Sequence, residues 1–256
     1  MRTPIVAGNW KMNGDVAGVD ELLDAVQQEL EEASLSRCEI LVFPAYVHLA
    51  GVLGRVAGTG IGVGSQDVDF RQSGAVTGGV SAPMVKDIGC SYAIVGHSER
   101  RTLFQEDNET VAAKFESCLD AGLMPILCVG ETLDERRSGN TVDVVTTQLD
   151  AVALKVGAAG LGRGHVAYEP VWAIGTGESA TSAQAEEVHA ALRSRLGELD
   201  GDMAAGMRIL YGGSVNADNA ASLFANENVD GALVGGASLK GKSFVDICRA
   251  ADASKR

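Results

Sequence analysis

Short apolar stretches rich in valine and isoleucine alternate along the chain with longer segments whose apolar residues recur at helical spacing. The apolar residues of these stretches follow one another rather than alternating with polar residues, which is typical of parallel strands buried on both faces. The strands predicted from this pattern cover residues 5–8, 39–43, 60–64, 92–95, 124–129, 165–168, 207–211 and 231–234. The predicted helices cover residues 17–33, 47–56, 82–88, 109–121, 142–156, 183–199, 217–224 and 244–251.

Eight strands that alternate with eight helices predict an α/β protein built as one single-domain (β/α)8 barrel over residues 1–256. The alternative is an open, doubly wound sheet, which usually has fewer strands. Three helix starts carry residues that favour the N-cap position, namely Asp107 or Asn108, Thr181 and Asn216. No linker or internal repeat indicates a second domain.

The composition narrows the classes of partner. A net charge of −13 argues against a nucleic acid or an anionic membrane, although an anionic small molecule could still bind at a local positive site. No apolar run approaches the roughly 18 residues of a membrane span, and the N-terminus shows no signal-peptide pattern. The five cysteines include no Cys-x-x-Cys pair, which predicts reduced thiols and no zinc site. We therefore expect a cytoplasmic protein without a nucleic-acid or membrane partner.

Polar and glycine-rich segments follow five of the predicted strands. In a (β/α)8 barrel the chemistry gathers at the carboxyl ends of the strands, so these segments should meet on one rim. They contain Asn9, Lys11, His97, Glu99, Glu169 and the glycine-rich turns at residues 212–214 and 235–236. Backbone N–H groups in such turns can hold a phosphate at helix starts. The pattern predicts a site with a carboxylate, an imidazole, an ammonium group and a phosphate cradle.

Glu169 directly precedes a proline and an apolar segment that ends in glycines. Pro170 biases the residue before it toward extended geometry, which gives the carboxylate a defined direction. An apolar loop that can hinge predicts a lid, which would close over Glu169 and exclude water. The predicted lid consists of Pro170, Val171, Trp172, Ala173, Ile174, Gly175, Thr176 and Gly177. A plain strand-to-helix connection with one exposed glutamate is the alternative.

Residues 236–243 match the pattern G-x-x-x-x-G-K-[ST] after a predicted strand and before a predicted helix. Taken alone, this pattern predicts a P-loop that binds a nucleoside triphosphate. Too few residues follow Ser243 to add a strand with a magnesium-binding aspartate. We therefore interpret the match as accidental.

Six motifs are similar to those of the triosephosphate isomerase family, in the same order and over essentially the whole chain. They are AGNWKMN at 7–13, VGHSERR at 95–101, CVGE at 128–131, AYEPVWAIGTG at 167–177, YGGSV at 211–215 and GALVGGAS at 231–238. The second and fourth motifs are the most specific. The resemblance implies a TIM barrel.

The resemblance also implies a reaction, the interconversion of dihydroxyacetone phosphate and D-glyceraldehyde 3-phosphate without a metal or organic cofactor. Glu169 would take a proton from carbon, and a neutral His97 would polarise the carbonyl and move protons between the oxygens. Lys11 would supply positive charge, Asn9 a hydrogen bond to the substrate, and Glu99 would pair with Lys11. The phosphate would bind amides of Gly175, Ser214, Gly235 and Gly236, next to Asn9 and Lys11.

The family is usually homodimeric, and the loop after strand three, here residues 67–81, projects into the partner. The resemblance implies that Thr77 reaches the neighbouring active site and that Arg100 lies in the interface. At positions 76 and 79, where the family often has a larger residue and a glutamate, this chain has Val76 and Gly79. We therefore expect Arg100 to find no carboxylate from this loop, and Gly79→Glu to tighten the dimer unless another acid pairs with Arg100.

Two alternatives of different classes remain open from the sequence. One is another sugar-phosphate barrel enzyme, an isomerase or epimerase, which would share the phosphate-binding glycines but not the lid. The other is a nucleotide-binding module that uses residues 236–243 as a P-loop. A coupled isomerase assay beside a nucleotide-binding assay separates all three.

Overall fold

Eight parallel strands form the centre of the computed structural model, which describes residues 2–173 and 180–254. They are β1 (Ile5–Asn9), β2 (Glu39–Phe43), β3 (Gly62–Ser65), β4 (Tyr92–Val95), β5 (Met124–Val129), β6 (His165–Tyr168), β7 (Ile209–Tyr211) and β8 (Gly231–Val234). Each strand pairs with the next, and β1 pairs with β8 from Ile5 opposite Gly231 to Gly8 opposite Val234. The sheet is a closed barrel, so the predicted (β/α)8 fold is confirmed.

Eleven helices surround the strands in the part of the chain that the structure describes. They are α1 (Val16–Ala33), α2 (Leu49–Val56), α3 (Ala82–Asp87), α4 (Ser98–Leu103), α5 (Asn108–Asp120), α6 (Leu133–Arg137), α7 (Thr141–Leu161), α8 (Ser182–Leu199), α9 (Gly201–Gly206), α10 (Ala217–Phe224) and α11 (Gly241–Ser254). The predicted caps Asp107, Thr181 and Asn216 each accept a backbone N–H in the first turn. The short helices α4, α6 and α9 were not among the predicted helices, since each is too short for a periodic pattern.

Two predicted strands begin later than expected. Strand β3 starts at Gly62 rather than at residue 60, because Gly60 has a φ of +82° and belongs to the turn before the strand. Strand β7 starts at Ile209 rather than at residue 207, because Met207 caps the C-terminus of α9 through a backbone N–H donated to Met203 O. Both errors concern the first residue of a strand. Neither changes the carboxyl ends of the strands, where the site was predicted.

The strands bury both faces, which explains why their apolar runs are continuous. Ile5, Leu41 and Ile126 belong to a cluster inside the barrel, whereas Val6 and Val42 belong to a larger cluster between the barrel and the helices. Alternate residues of one strand therefore enter different cores, because successive side chains of a strand point to opposite faces. The carboxyl ends of the strands are therefore fixed by packing on both faces of the sheet.

Helix α7 corrects one expectation from the sequence. It has 21 residues and a mean hydropathy of 1.2 over its most apolar window, so by length and composition alone it could cross a membrane. Acidic residues and a lysine interrupt the helix, so it contains no uninterrupted apolar run of that length. Its buried side chains Val145, Leu149 and Val152 belong to the core outside the barrel, and the helix contacts α5, α8 and β5. This packing accounts for the buried apolar residues of the helix, whereas others, such as Leu154, remain exposed.

Three buried charges and the half-buried Arg100 form one group near the loop that follows β3. Lys114 Nζ is 2.6 Å from both Asp67 Oδ1 and Glu106 Oε1. Arg100 Nη2 is 3.1 Å from Asp67 Oδ2 and 2.8 Å from Glu106 Oε1. Arg100 therefore has carboxylate partners inside its own chain, Asp67 and Glu106, which is the exception stated with the expectation for Gly79→Glu.

Candidate active site

A cavity of about 350 Å³ opens at the carboxyl ends of the strands. Its lining includes the predicted residues Asn9, Lys11, His97, Glu169, Ser214, Gly235 and Gly236, together with Trp10, Asn13, Gly212, Gly213, Val215, Leu233, Ala237 and Leu239. These residues come from β1, β4, β6, β7 and β8 and from the segments that follow them. The closed barrel thus brings together polar groups that are more than 200 positions apart in sequence.

Lys11 has a constrained backbone conformation and lies beside the glycine-rich turns at residues 212–214 and 235–236 (the phosphate turns). Its φ is +52°, which is uncommon for a residue other than glycine. Asn9 Oδ1 accepts the N–H of Lys11 at 3.1 Å, and Gln66 Nε2 donates to its carbonyl at 2.8 Å. Lys11 Nζ donates to Glu99 Oε1 at 2.5 Å, and its Cε atom lies 3.5 Å from the position a Cβ would take at Gly235. The ammonium group is therefore aimed at the rim after β8.

Glu169 is almost fully buried, with 1% of its surface exposed. Its Oε2 atom accepts the backbone N–H of Ser98 at 2.9 Å, and its Oε1 atom accepts the Ser98 hydroxyl at 3.2 Å. His97 Nε2 lies 2.9 Å from Oε1. Burial raises the pKa of this carboxyl, but its interaction with His97 and the hydrogen bond from the Ser98 amide lower it by more, so its pKa lies below the ordinary value. Ser98 follows β4, but the sequence assigned it no role.

The imidazole of His97 is fixed by a contact at each nitrogen. The backbone N–H of Glu99, in the first turn of α4, donates to Nδ1 at 3.2 Å. Since Nδ1 accepts, the proton of a neutral ring is on Nε2, which donates to Glu169. Burial lowers the pKa of His97, whereas the Glu169 carboxylate and its hydrogen bond raise it, and the net direction is upward while Glu169 stays in this position. The Glu99 amide opposes this by favouring the neutral ring.

The turns after β7 and β8 present free backbone donors to the cavity. Among residues 2–173 and 180–254, the amides of Ser214, Gly235 and Gly236 donate to no backbone oxygen. A Cβ at Gly236 would meet nothing within 4 Å, which leaves room for a ligand against the backbone. Free N–H groups beside the Lys11 ammonium form a local anion site in a protein whose net charge is −13. Such a site suits a phosphate.

Comparison with known proteins agrees with this arrangement. The sequence model of the family described as triosephosphate isomerase matches residues 4–251. The chain belongs to the triosephosphate isomerase family. It is 52% identical over 251 residues to a triosephosphate isomerase of Thiobacillus denitrificans, and 51% identical over 251 residues to one of Alcanivorax borkumensis. It is 50% identical over 252 residues to one of Dechloromonas aromatica. These alignments cover 98% of this chain and 99–100% of each relative.

Membership of the triosephosphate isomerase family confirms three predictions from the sequence. The resemblance of the six motifs, the barrel fold and the class of aldose–ketose isomerase are all supported across the chain. The matches give no support to the nucleotide-binding alternative. The roles of single residues stay predictions, and the geometry described above is the basis for them.

Part of the predicted lid of this triosephosphate isomerase family member is described. A 3-10 turn spans Val171–Ala173, and the N–H of Ala173 donates to Pro170 O at 2.8 Å. The Ser214 hydroxyl donates to Ala173 O at 3.1 Å, which connects this segment to the turn after β7. The remaining predicted lid residues, Ile174, Gly175, Thr176 and Gly177, lie outside the described residues, and so does the predicted phosphate contact of Gly175.

Glu131, after β5, anchors the start of the lid and was assigned no role from the sequence. Its Oε1 atom accepts the Tyr168 hydroxyl at 3.0 Å and Trp172 Nε1–H at 2.9 Å. Arg136 Nη1 lies 3.3 Å from the same oxygen, and its guanidinium lies 4.9 Å from the centre of the Trp172 ring. Glu131 could have been found from the sequence, because it is a carboxylate close to the carboxyl end of a predicted strand, as Glu169 is.

The P-loop pattern is divided between two different environments. Gly236 begins a 3-10 turn on the cavity rim, whereas a Cβ at Gly241 would lie 2.7 Å from the Cβ of Ala25, so α1 covers the start of α11. Lys242, whose side chain is 71% exposed, is 3.1 Å from Asp246 on the outer surface. A P-loop lysine must instead reach the phosphates over the same loop. The geometry supports the interpretation as an accidental match.

Replacing Lys242 by alanine is expected to leave kcat and KM of the isomerase reaction within about twofold. Its only charged contact in the described residues is an exposed i,i+4 pair, which contributes about 0.3–0.5 kcal/mol to stability. Calorimetry with Mg-ATP is expected to show no binding to the unmodified protein. Saturable binding of ATP that is lost in Lys242→Ala would contradict this interpretation.

Proposed function

We propose that this protein interconverts dihydroxyacetone phosphate and D-glyceraldehyde 3-phosphate through an enediolate, as a step of glycolysis and gluconeogenesis. The observation that carries the proposal is a buried carboxylate and an imidazole in hydrogen-bond contact, beside an ammonium group and free backbone N–H groups in one cavity. Since the substrates of this reaction are cytoplasmic metabolites, we also propose a cytoplasmic location.

Glu169 is the proposed base. Removing a proton from a weakly acidic carbon requires a desolvated carboxylate within reach and a partner that stabilises the developing oxyanion. Glu169 is buried at the cavity wall, and Ser98 and His97 hold it there in the absence of substrate. To act on a substrate, the carboxylate must leave these contacts. This exchange raises its pKa, because the contacts that lower it are given up.

His97, Lys11 and Asn9 are proposed to act on the substrate oxygens. The Nε2–H of a neutral His97 donates to the carbonyl oxygen once Glu169 has moved, and then relays protons between the two oxygens. Lys11 contributes positive charge that stabilises the enediolate, while Glu99 orients its Nζ atom. Asn9 lines the same cavity and supplies a further hydrogen-bonding group.

The phosphate is proposed to bind the amides of Ser214, Gly235 and Gly236 and, in the closed state, that of Gly175. Binding energy from this non-reacting group holds the reacting carbons against Glu169. Closure of residues 170–177 excludes water, which prevents the enediolate from losing its phosphate by elimination. The Glu131 contacts give the lid a fixed starting point.

A coupled assay tests the function in both directions, with purified protein and each triose phosphate. We expect turnover of both substrates, no requirement for added metal, and no reaction with pentose phosphates that an epimerase would accept. An inactive protein with a native circular dichroism spectrum would contradict the proposal. Turnover of a pentose phosphate in place of triose phosphates would favour the other sugar-phosphate enzyme.

We also propose a homodimer built on the loop of residues 67–81. Large apolar side chains are exposed around it, including Tyr46, Phe70, Met84 and Phe104. Tyr46 donates its hydroxyl to Asp67 O at 2.5 Å, and the Phe104 ring lies 3.9 Å from the guanidinium of Arg100, which pairs with Asp67. Exposed apolar residues collected around one loop are typical of a protein interface. Thr77, exposed at the loop tip, is proposed to reach the partner's active site.

Contacts of Arg100 and Gly79 within the chain support a different effect of Gly79→Glu from the one expected from the sequence. Arg100 already has two carboxylates, so a new one gains little from it. A Cβ at Gly79 would lie 2.9 Å from Val76 Cγ1 and 3.3 Å from Asp69 Oδ2, which adds a steric contact and places a second negative charge beside Asp69. We expect Gly79→Glu to dissociate at an equal or higher concentration than the unmodified protein in sedimentation over a dilution series. A tighter dimer would show that the substituted glutamate finds a cation across the interface.

A further inference from the structure

The side chain of Gln148, on the inner face of α7, forms two hydrogen bonds to a single peptide unit. Its Oε1 atom accepts the N–H of Gly130 at 2.8 Å, and its Nε2 atom donates to the carbonyl of Gly130 at 3.1 Å. Gly130 directly follows β5. The pairing of β5 with β4 ends earlier, at Leu127 opposite Val95. Gln148 therefore supplies the hydrogen-bond partners that Gly130 does not receive from β4.

Gly130 lies directly against the backbone of Glu169. A Cβ at residue 130 would be 1.9 Å from Glu169 O and 3.2 Å from Glu169 Cβ, so only glycine allows this approach. The residues on either side of Gly130 bond to the same segment. Val129 O accepts the N–H of Glu169 at 2.8 Å, and Glu131 O accepts the N–H of Val171 at 3.2 Å. Residues 129–131 therefore support the backbone from the proposed base to the start of the lid.

Gln148 lies on α7, outside the barrel, and its side-chain amide binds Gly130, the central residue of the segment 129–131. Gln148 touches no part of the cavity that contains Lys11 and the phosphate turns. It does line a second cavity of about 150 Å³ behind Glu169, together with Gly130 and Val171. Open space beside the Gly130 peptide leaves room for it to shift on that side if the two hydrogen bonds were lost.

We infer that Gln148 is a positioning residue for the isomerisation, acting through the Gly130 peptide on the backbone from which Glu169 reaches the substrate. This inference rests on the proposed role of Glu169 as the base. The carboxylate of Glu169 has to change partners during the reaction. Its position relative to the substrate therefore depends on a fixed backbone rather than on fixed side-chain contacts. A displacement of about 1 Å at such a base costs on the order of 10²-fold in rate, and smaller displacements cost less.

The test replaces Gln148 by methionine, which keeps the length of the side chain and removes both hydrogen bonds. We expect kcat to fall about tenfold, as for a displacement well below 1 Å, with KM within about twofold, because the phosphate turns after β7 and β8 are untouched. The matched control is Gln27→Met on α1, which removes one Gln side-chain hydrogen bond, to Arg55 O at 3.1 Å, away from the cavity. The control is expected to keep the kcat of the unmodified protein.

Ligand binding separates positioning from general loss of structure. Phosphoglycolate, whose carboxylate mimics the enediolate beside Glu169, is expected to bind Gln148→Met several-fold more weakly. Inorganic phosphate, which needs only the amide turns, is expected to bind equally. The melting temperature is expected to match that of Gln27→Met within a few degrees. A second variant, Gln148→Glu, keeps the acceptor for the Gly130 N–H but loses the donor to its carbonyl. We expect it to lower kcat as well. If Gln148→Met does not fold, the same measurements on Gln148→Glu test the inference.

Three results would overturn the inference. The first is a kcat for both Gln148 variants equal to that of the unmodified protein. The second is a loss of kcat that Gln27→Met shares or that equals the loss of folded protein. The third is an equal weakening of phosphate and phosphoglycolate binding, which would indicate damage to the whole rim. Absence of isomerase activity in the unmodified protein would instead refute the proposed function, and the role of Gln148 with it.

Discussion

Replacing Glu169 by aspartate is expected to lower kcat by on the order of 10²-fold with little change in KM. Aspartate keeps the negative charge but shortens the side chain by one methylene, and a displacement of about 1 Å is enough for a loss of this size. The backbone cannot move inward to compensate. It is held by Val129 O, by the close packing of Gly130 and by the bond from Val171 to Glu131 O.

The measurement is steady-state kinetics in both directions. Glu39→Asp provides the matched control, because Glu39 begins β2 at the opposite end of the barrel, where its side chain pairs with Tyr92 and Arg208. The same methylene is removed there without reaching the cavity, so kcat is expected to stay near that of the unmodified protein. A Glu169→Asp enzyme with near-normal kcat would exclude Glu169 as the base.

Replacing His97 by glutamine is expected to lower kcat by on the order of 10²–10⁴-fold, the range for loss of a positioned acid–base group. Glutamine can donate a hydrogen bond to the carbonyl oxygen, but it cannot give up and regain a proton. KM should change less, because the phosphate turns do not involve residue 97. His48→Gln is the control, since His48 lies outside the cavity and its Nε2 atom forms a hydrogen bond with Gly14 O at 3.1 Å. A His97→Gln enzyme within threefold of normal kcat would remove the imidazole from the proton relay.

The protonation state of His97 can be measured independently by nitrogen NMR of the ring. We expect one protonated and one unprotonated nitrogen at pH 7–8, because a proton on Nδ1 would face the N–H of Glu99. The Glu169 carboxylate raises the pKa of His97, so Glu169→Gln should extend the neutral form to lower pH. Two protonated nitrogens in the unmodified protein at pH 7.5 would show that the carboxylate outweighs the Glu99 amide.

Much of the barrel could be predicted from the chain. Continuous apolar runs of four to six residues and helical periodicity between them identify all eight strands, since both signals arise from burial along one element. The helices missed, α4, α6 and α9, have only five or six residues. The capping box of α6, formed by Thr132 and Glu135, was a readable signal. The start of β7 could not be read, because the apolar Met207 continues the strand pattern but caps a helix.

The sequence by itself determined which residues stand at the carboxyl ends of the strands, and hence that Asn9, Lys11, His97, Glu169 and the two glycine turns line one cavity. The position of a residue directly after a strand can be read locally from the sequence. In a (β/α)8 barrel all such residues lie at the same face, so they are also close to one another in space. Contacts between distant segments follow no such rule. Ser98 on Glu169, Asp67 on Arg100 and Gln148 on Gly130 were decided only by the tertiary structure. They depend on side-chain rotamers and on distances of a few tenths of an ångström between elements that the sequence separates by up to about 70 residues.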